Sequence, residues 1–140
     1  GKELSLDESM VHWRGRLRFR QFIKNKRHKY GCKLYCVTSS KGLVQRLLLY
    51  QGSSDNEVGG VNHRSKVVHH LMNLRKNVGH SVYMDNYYNS VPLAEELLRE
   101  GVYCTGTLES NRKGNPPEVV QKKLKRGESI SRYTKSGVCV

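Results

Sequence analysis

An α/β fold, a mixed sheet with helices flanking it, is what the sequence predicts, and three observations predict it. Apolar and polar residues alternate along three early segments, the signature of half-buried strands. Two later segments carry apolar residues at the three- and four-residue spacing of a helix, and each is followed by a short apolar run bounded by turn residues. The chain has 140 residues, 36% of them hydrophobic, enough to bury one core of ordinary size.

Taken in order, "ELSLDESMVHW" sets Leu4 and Leu6 against Ser5 and Asp7 and reads as a first strand carrying Asp7 near its end. "RGRLRFRQFIKNKRHKYG" is a basic connection. "CKLYCVT" and "LVQRLLLYQ" are two further strands, and "SSKG" between them makes a hairpin. After the polar turn "GSSDNEVGG", Val67, Leu71, Leu74 and Val78 fall at helical spacing, predicting a helix over 62–78 that Gly79 stops. "SVYM" is a short buried strand ending at Asp85. The next helix starts near Ser90, with Pro92 and two glutamates in its first turn, and closes at Gly101 after Arg99. "VYCTGTL" is the fifth strand. From Glu109 onward the chain turns polar and basic: Pro116 and Pro117 open a short helix through "EVVQKKLKR", and "GVCV" reads as a strand cut off midway. The chain thus divides into a core over 1–108 and a basic segment over 109–140, incomplete, that begins the next part of the protein.

This order constrains where two aspartates lie. The helix after the hairpin must carry the chain back so that the fourth strand pairs parallel with the first, because parallel pairing needs a crossover. Ligands of such sheets collect at the carboxyl ends of the strands. Asp7 and Asp85 are both expected there, on one rim. That is the ribonuclease H-like arrangement, in which carboxylates ending buried strands hold metal ions. Two carboxylates bracketing Mg²⁺ would let water or a sugar hydroxyl attack a phosphodiester. Read without context, the same two residues are strand-end or helix-capping carboxylates.

Charge names the class of partner. Lysine and arginine total 25 against 12 acidic residues, for a formal charge of +13, which favours a polyanion: nucleic acid first, an anionic membrane surface second. The basic connection concentrates Arg14, Arg16, Arg18, Arg20, Lys24, Lys26, Arg27 and Lys29 among Phe19, Phe22 and Tyr30, the pattern for phosphate contact with base stacking. The bland reading is a solvated surface. No apolar run has the length of a membrane span and the N-terminus lacks a signal-peptide core, so the sequence reads as soluble and intracellular. Cys32, Cys36, Cys104 and Cys139 match no secreted framework and are expected as reduced thiols, and the six histidines show no metal-ligand spacing.

Three stretches, "LSLDESMVHWRGRLRFRQFIKNKRHKYGCKLY", "HSVYMDNYYNSVPLAEELL" and "GTLESNRKGNP", closely resemble the catalytic domain of piggyBac transposases and the domesticated proteins derived from them. The resemblance runs from about Leu4 to about Gly127. One family motif matches Asp7, Glu8, Arg14, Gly15, Arg16, Phe19, Asn25, Lys26, Lys29, Tyr30 and Gly31; a second matches Asp85, Asn86, Tyr87, Tyr88, Asn89, Ser90 and Leu93. The resemblance implies a nuclear cut-and-paste DNA transposase dependent on Mg²⁺ or Mn²⁺, with Asp7 and Asp85 as the first two of three catalytic, metal-binding aspartates. It implies double-stranded DNA as partner, transposon ends and TTAA targets, no membrane, and a homodimer in the full-length protein. Asn111, Arg112 and Lys113 of the "NRKG" element join the basic connection as DNA contacts. Tyr87 and Tyr88 are expected to pack beneath the site.

The sequence also departs from the family pattern. The third aspartate belongs to a "GGVD" motif beyond the fifth strand, so the fold is expected to stop before the final catalytic helix. Asp55 is the one other aspartate, but "GSSDNE" reads as a turn remote from the rim. Glu109 stands where relatives carry arginine and would repel phosphate. Lys24 and Arg27 stand where relatives have prolines, making the connection more basic and more flexible. Two alternatives therefore stand beside a working transposase: a domesticated DNA-binding module without the chemistry, and a basic nucleic-acid or RNA-associated domain without a metal site.

Overall fold

The computed structural model describes residues 1–140. Six strands form one mixed sheet: β1 (Glu3–His12), β2 (Gln21–Phe22), β3 (Tyr30–Ser39), β4 (Val44–Leu49), β5 (His80–Met84) and β6 (Val102–Gly106). The order is β2-β3-β1-β5-β6, with β4 also on β3. β3 runs antiparallel to β1, β2 and β4, whereas β1–β5 and β5–β6 are parallel. The fourth principal strand therefore does return parallel to the first. The short β2 adds a strand inside the basic connection that alternation alone did not show.

Two helices make the crossovers, α1 (His63–Met72) between β4 and β5 and α2 (Val91–Arg99) between β5 and β6. The Ser90 side chain caps α2 by accepting the Leu93 N–H at 3.3 Å, and Pro92 sits in its first turn, where a missing N–H costs nothing. Glu95 and Glu96 fall one turn later than expected.

Both helices press on one face of the sheet. Leu4 and Leu6 of β1, Tyr35 and Val37 of β3, and Val82 and Met84 of β5 meet Val67, Val68, Leu71 and Met72 of α1 and Leu93 and Leu97 of α2 in one core. Neither α1 nor α2 covers the other face, which carries Val11, Leu47, Tyr83 and Tyr103 exposed.

Three expectations are corrected. β1 runs on to His12, five residues past Asp7, because antiparallel pairing with β3 continues to His12↔Gly31 after the parallel ladder ends. α1 stops at Met72: residues 73–75 tighten into a 3-10 turn, and Asn77 (φ 57°) and Gly79 (φ 75°) then turn the chain through the left-handed region. Leu74 and Val78 are thus 79% and 53% exposed, and Val68 and Met72 take the buried positions. The last short helix, α3 (Pro117–Gln121), ends before the lysines, and "GVCV" closes a small hairpin in which Tyr133 pairs with Cys139. No helix is long and apolar enough to cross a membrane.

Candidate active site

The parallel ladder between β1 and β5 ends at Leu6↔Met84, and the next residue on each chain is an aspartate, Asp7 and Asp85. Neighbouring strands lie about 4.8 Å apart, so both carboxylates arise side by side at the carboxyl end of that ladder. Both residues are exposed. Each is steadied locally by one oxygen: Asp7 Oδ1 accepts the Glu8 N–H at 2.7 Å, and Asp85 Oδ1 accepts the Tyr87 N–H at 3.0 Å in a turn that the Asn89 N–H closes on the Asp85 carbonyl. Their second oxygens carry no hydrogen bond or ion pair. Such a donor set, hard oxygens open to water, suits Mg²⁺, which keeps several waters and is often held by one or two carboxylates plus substrate phosphate. No three His, Cys, Asp or Glu side chains are arranged so that they could hold a metal ion together.

One residue along β1, Glu8 points to the opposite, helix-covered face. It accepts a 2.7 Å hydrogen bond from the buried Tyr88 hydroxyl and pairs with Lys26 Nζ at 3.2 Å. Burial works to raise its carboxyl, but Tyr88, Lys26 and Lys33 outweigh that and hold it below its ordinary range. Burial, reinforced by the Glu8 carboxylate, pushes the Tyr88 hydroxyl far above the usual phenol range. Lys26 is thus part of the site's frame as well as of the basic connection.

Lys33 is the residue that motif reasoning passed over. Its ammonium lies 4.7 Å from the Tyr35 ring centroid and 5.1 Å from that of Tyr87. Burial draws its pKa below the ordinary lysine value, against the attraction of Glu8 and Asp85. A signal was present: alternation in "CKLYCVT" puts this lysine on the same face as buried Tyr35 and Val37.

The "NRKG" element docks against the turn after Asp85. Arg112 Nη2 donates to the carbonyls of Asn86 (2.6 Å) and Tyr87 (3.1 Å) and pairs with Glu109 at 2.9 Å. Glu109 also meets Arg64 at 3.5 Å, and the Arg64 guanidinium lies over Tyr87 at 4.4 Å. The negative charge expected at Glu109 is therefore shared between two arginines, and Arg112 braces the turn. Asn111 and Lys113 remain exposed, with Asn111 in a shallow cleft beside Asn86.

In the basic connection Arg14, Arg16, Arg18, Lys24, Arg27 and Lys29 are exposed. Arg20 turns back to donate to the carbonyls of Arg14 (3.0 Å) and Gly15 (3.3 Å). Asp55 lies in its predicted turn, on the backbone N–H groups of Gln51, Glu57 and Val58. Those bonds overcome the effect of burial and hold its carboxyl below the usual range. The four cysteines are free thiols, and His69 sits between Glu96 and Glu100.

Known proteins share this sequence pattern and this fold. A family model described as Transposase IS4 matches residues 1–140. The human PiggyBac transposable element-derived protein 3 is 30% identical over 131 residues, 88% of this chain and 22% of that protein. The human PiggyBac transposable element-derived protein 2 is 27% identical over 130 residues, 87% of this chain and 21% of that protein. A cryo-EM structure of the piggyBac transposase synaptic complex with hairpin DNA superposes with a TM-score of 0.78 and 28% identity, covering 96% of this chain and 28% of that one. The chain spans about a fifth of the length of these curated relatives.

Proposed function

This chain belongs to the transposase IS4 family and shares the fold of the piggyBac transposase catalytic domain, and we infer that it is the part of a DNA transposase that presents the first two metal-binding aspartates and a basic strip for duplex DNA. The observation that carries this reading is the register bringing Asp7 and Asp85 to the same end of adjacent parallel strands. Mg²⁺ or Mn²⁺, when bound, would supply charge neutralisation at the attacking and leaving oxygens of an in-line phosphodiester displacement. Asp7 and Asp85 would hold it through their uncommitted oxygens. The Lys33 ammonium, held against the Tyr35 and Tyr87 rings and attracted by the Asp85 charge, is suited to a phosphate oxygen. The exposed arginines and lysines from Arg14 to Lys29, with Asn111 and Lys113, would orient the duplex by phosphate contact. Transposon ends and TTAA targets as substrates, a dimer in the longer protein, a nuclear site of action and a core over 1–108 followed by a basic segment belong to the same reading.

Taken by itself, the 140-residue chain brings two carboxylates, Asp7 and Asp85, to this strand end. A metal held by two carboxylates is positioned loosely, and misplacement at the reacting atoms is costly in rate. The 140-residue chain is therefore expected to bind duplex DNA with an affinity that falls with salt by about −0.9 in log–log slope per phosphate contact, and not to cut end-labelled DNA in Mg²⁺ or Mn²⁺. Replacing Arg14, Arg16 and Arg18 by alanine should flatten the slope by about 2 to 3. An unchanged slope would reduce the charge to solvated surface. Specific cleavage lost in Asp7→Asn would show that two aspartates suffice.

A further inference from the structure

Two of the rings interleaved with the basic connection, Phe22 and Tyr30, are 56% and 46% exposed, and Trp13, just before it, is 49% exposed. His12 pairs with Gly31, and the Trp13 N–H donates to the Tyr30 carbonyl at 3.2 Å, so Trp13 stands directly across from Tyr30; Phe22 is the register partner of Tyr30 on its other side. Directly opposed residues of antiparallel strands project from one face, each strand about 4.8 Å from the next. The register therefore sets three aromatic residues in a row across three strands; the rings of Phe22 and Tyr30 meet with centroids 4.9 Å apart, and the Trp13 indole lies against Gly15.

Local structure fixes this row. A Cβ at Gly15 would come within 2.6 Å of Trp13 Nε1 and 2.9 Å of its Cε2, so the glycine admits the indole against the backbone and leaves its other side open. Arg20 ties the chain on either side of Gly15 and lies 5.5 Å from the Tyr30 centroid. Alternation along β1 puts Trp13 on the same face as Asp7, six residues back. At 3.3 Å per residue that is about 20 Å, or about six nucleotide steps of 3.4 Å.

Exposed rings alone would suit a protein partner as well as a nucleic acid, and charge decides between them. Between Trp13 and Tyr30 the chain has no acidic residue and eight lysines and arginines. A phosphate backbone fits that surroundings, and a stacked duplex offers no base faces to the rings whereas unpaired bases do. We propose that the Trp13–Tyr30–Phe22 row is a stacking platform for the unpaired bases of a single-stranded DNA segment, about 20 Å along β1 from the aspartate pair. This rests on the DNA reading above and narrows it to a junction, with duplex on the basic strip and an unpaired tail on the rings.

Trp13 is the one tryptophan in the chain and reports on its own site. A blunt duplex and the same duplex with an unpaired tail are titrated while its fluorescence is followed. The tail is expected to tighten binding by about tenfold or more and to quench Trp13, where the blunt duplex does not. Phe22→Ala with Tyr30→Ala should remove that gain and leave blunt-duplex affinity within about twofold, while Tyr30→Phe, which keeps the ring, retains the gain. Circular dichroism of each variant keeps a folding defect from being read as lost stacking. A tail that adds nothing while the blunt duplex still binds overturns the platform and leaves the DNA reading intact, as does a tail gain that survives the double variant. If neither DNA binds, both fall.

Discussion

The two faces of this one sheet have different tasks. The face under α1 and α2 holds the core, from Leu4 and Leu6 through Tyr35 and Tyr88 to Leu97 and Val102. The opposite face carries Asp7, the half-exposed thiols Cys32 and Cys36, exposed Val11, Leu47, Tyr83 and Tyr103, and beyond them the aromatic row. Because side chains alternate along a strand, neighbours in sequence fall on opposite sides of that division. Asp7 and Glu8 show it most sharply: one is exposed with a free carboxylate oxygen, the other is enclosed by Tyr88 and Lys26. What looks like one acidic motif in the sequence is a site residue followed by a framing residue.

The largest effect expected from this contrast is on stability. Leu97 is fully buried between α2 and the sheet, whereas Leu47 on the other face is 54% exposed. Leu97→Ala should cost about 2–5 kcal/mol in a denaturant titration, through lost transfer energy and the cavity left behind. Leu47→Ala should stay within about 0.5 kcal/mol. Equal losses would mean that the open face contributes to the core as much as the covered one, and the comparison would break.

A smaller effect is expected where the covered face carries charge. Tyr88→Phe deletes the hydroxyl that Glu8 accepts from and leaves a mostly buried carboxylate short of a donor, at a cost of about 1–3 kcal/mol. The pH dependence has a definite sign. The folded-state pKa of Glu8 lies below its ordinary 4.5, so below that pH the unfolded chain takes up more protons than the folded one. The contribution is fully present above pH 4.5 and is lost as pH falls through the folded value. Glu8→Gln should therefore flatten the acid limb of a stability–pH curve. An acid limb unchanged by the substitution would place the acid-sensitive groups elsewhere.

Much of this was legible in the sequence because patterns of period two and 3.6 are set by the backbone. They gave the succession of strands and helices along the chain, β2 excepted, the parallel return of β5 to β1 and hence the placement of Asp7 and Asp85 at one end of that ladder. The failures have physical causes of two kinds. Strand and helix ends are decided by partners: β3 extends β1 past Asp7, and positive φ at Asn77 and Gly79 stops a periodicity that Leu74 and Val78 formally continue. Side-chain roles are decided by what lies across space: Arg112 is as basic as its neighbours, but two carbonyls after Asp85 and the Glu109 carboxylate take its donors. Lys33 was hidden because its partners Glu8, Tyr87 and Asp85 come from distant segments.

The smallest expected effect falls on the residue that matters most to the proposed chemistry. Asp7 is exposed, and its one hydrogen bond is to the N–H of the next residue, through an oxygen that asparagine retains. Asp7→Asn removes a charge beside Asp85 without uncovering any buried group, so its stability should remain within about 0.5 kcal/mol of the parent. The same change should weaken binding of Mg²⁺ or Mn²⁺, because a neutral amide offers one oxygen and no charge to a hard cation. Glu8→Gln, one position along, should do the reverse: it loses stability while leaving both aspartates in place to hold the ion. Denaturant titrations of the two variants, each with and without Mn²⁺, separate these patterns by the metal-dependent shift in midpoint. If Asp7→Asn destabilises the metal-free chain as much as Glu8→Gln does, then Asp7 is a structural carboxylate and the division of labour between neighbouring residues of β1 fails at the position where it was drawn most sharply.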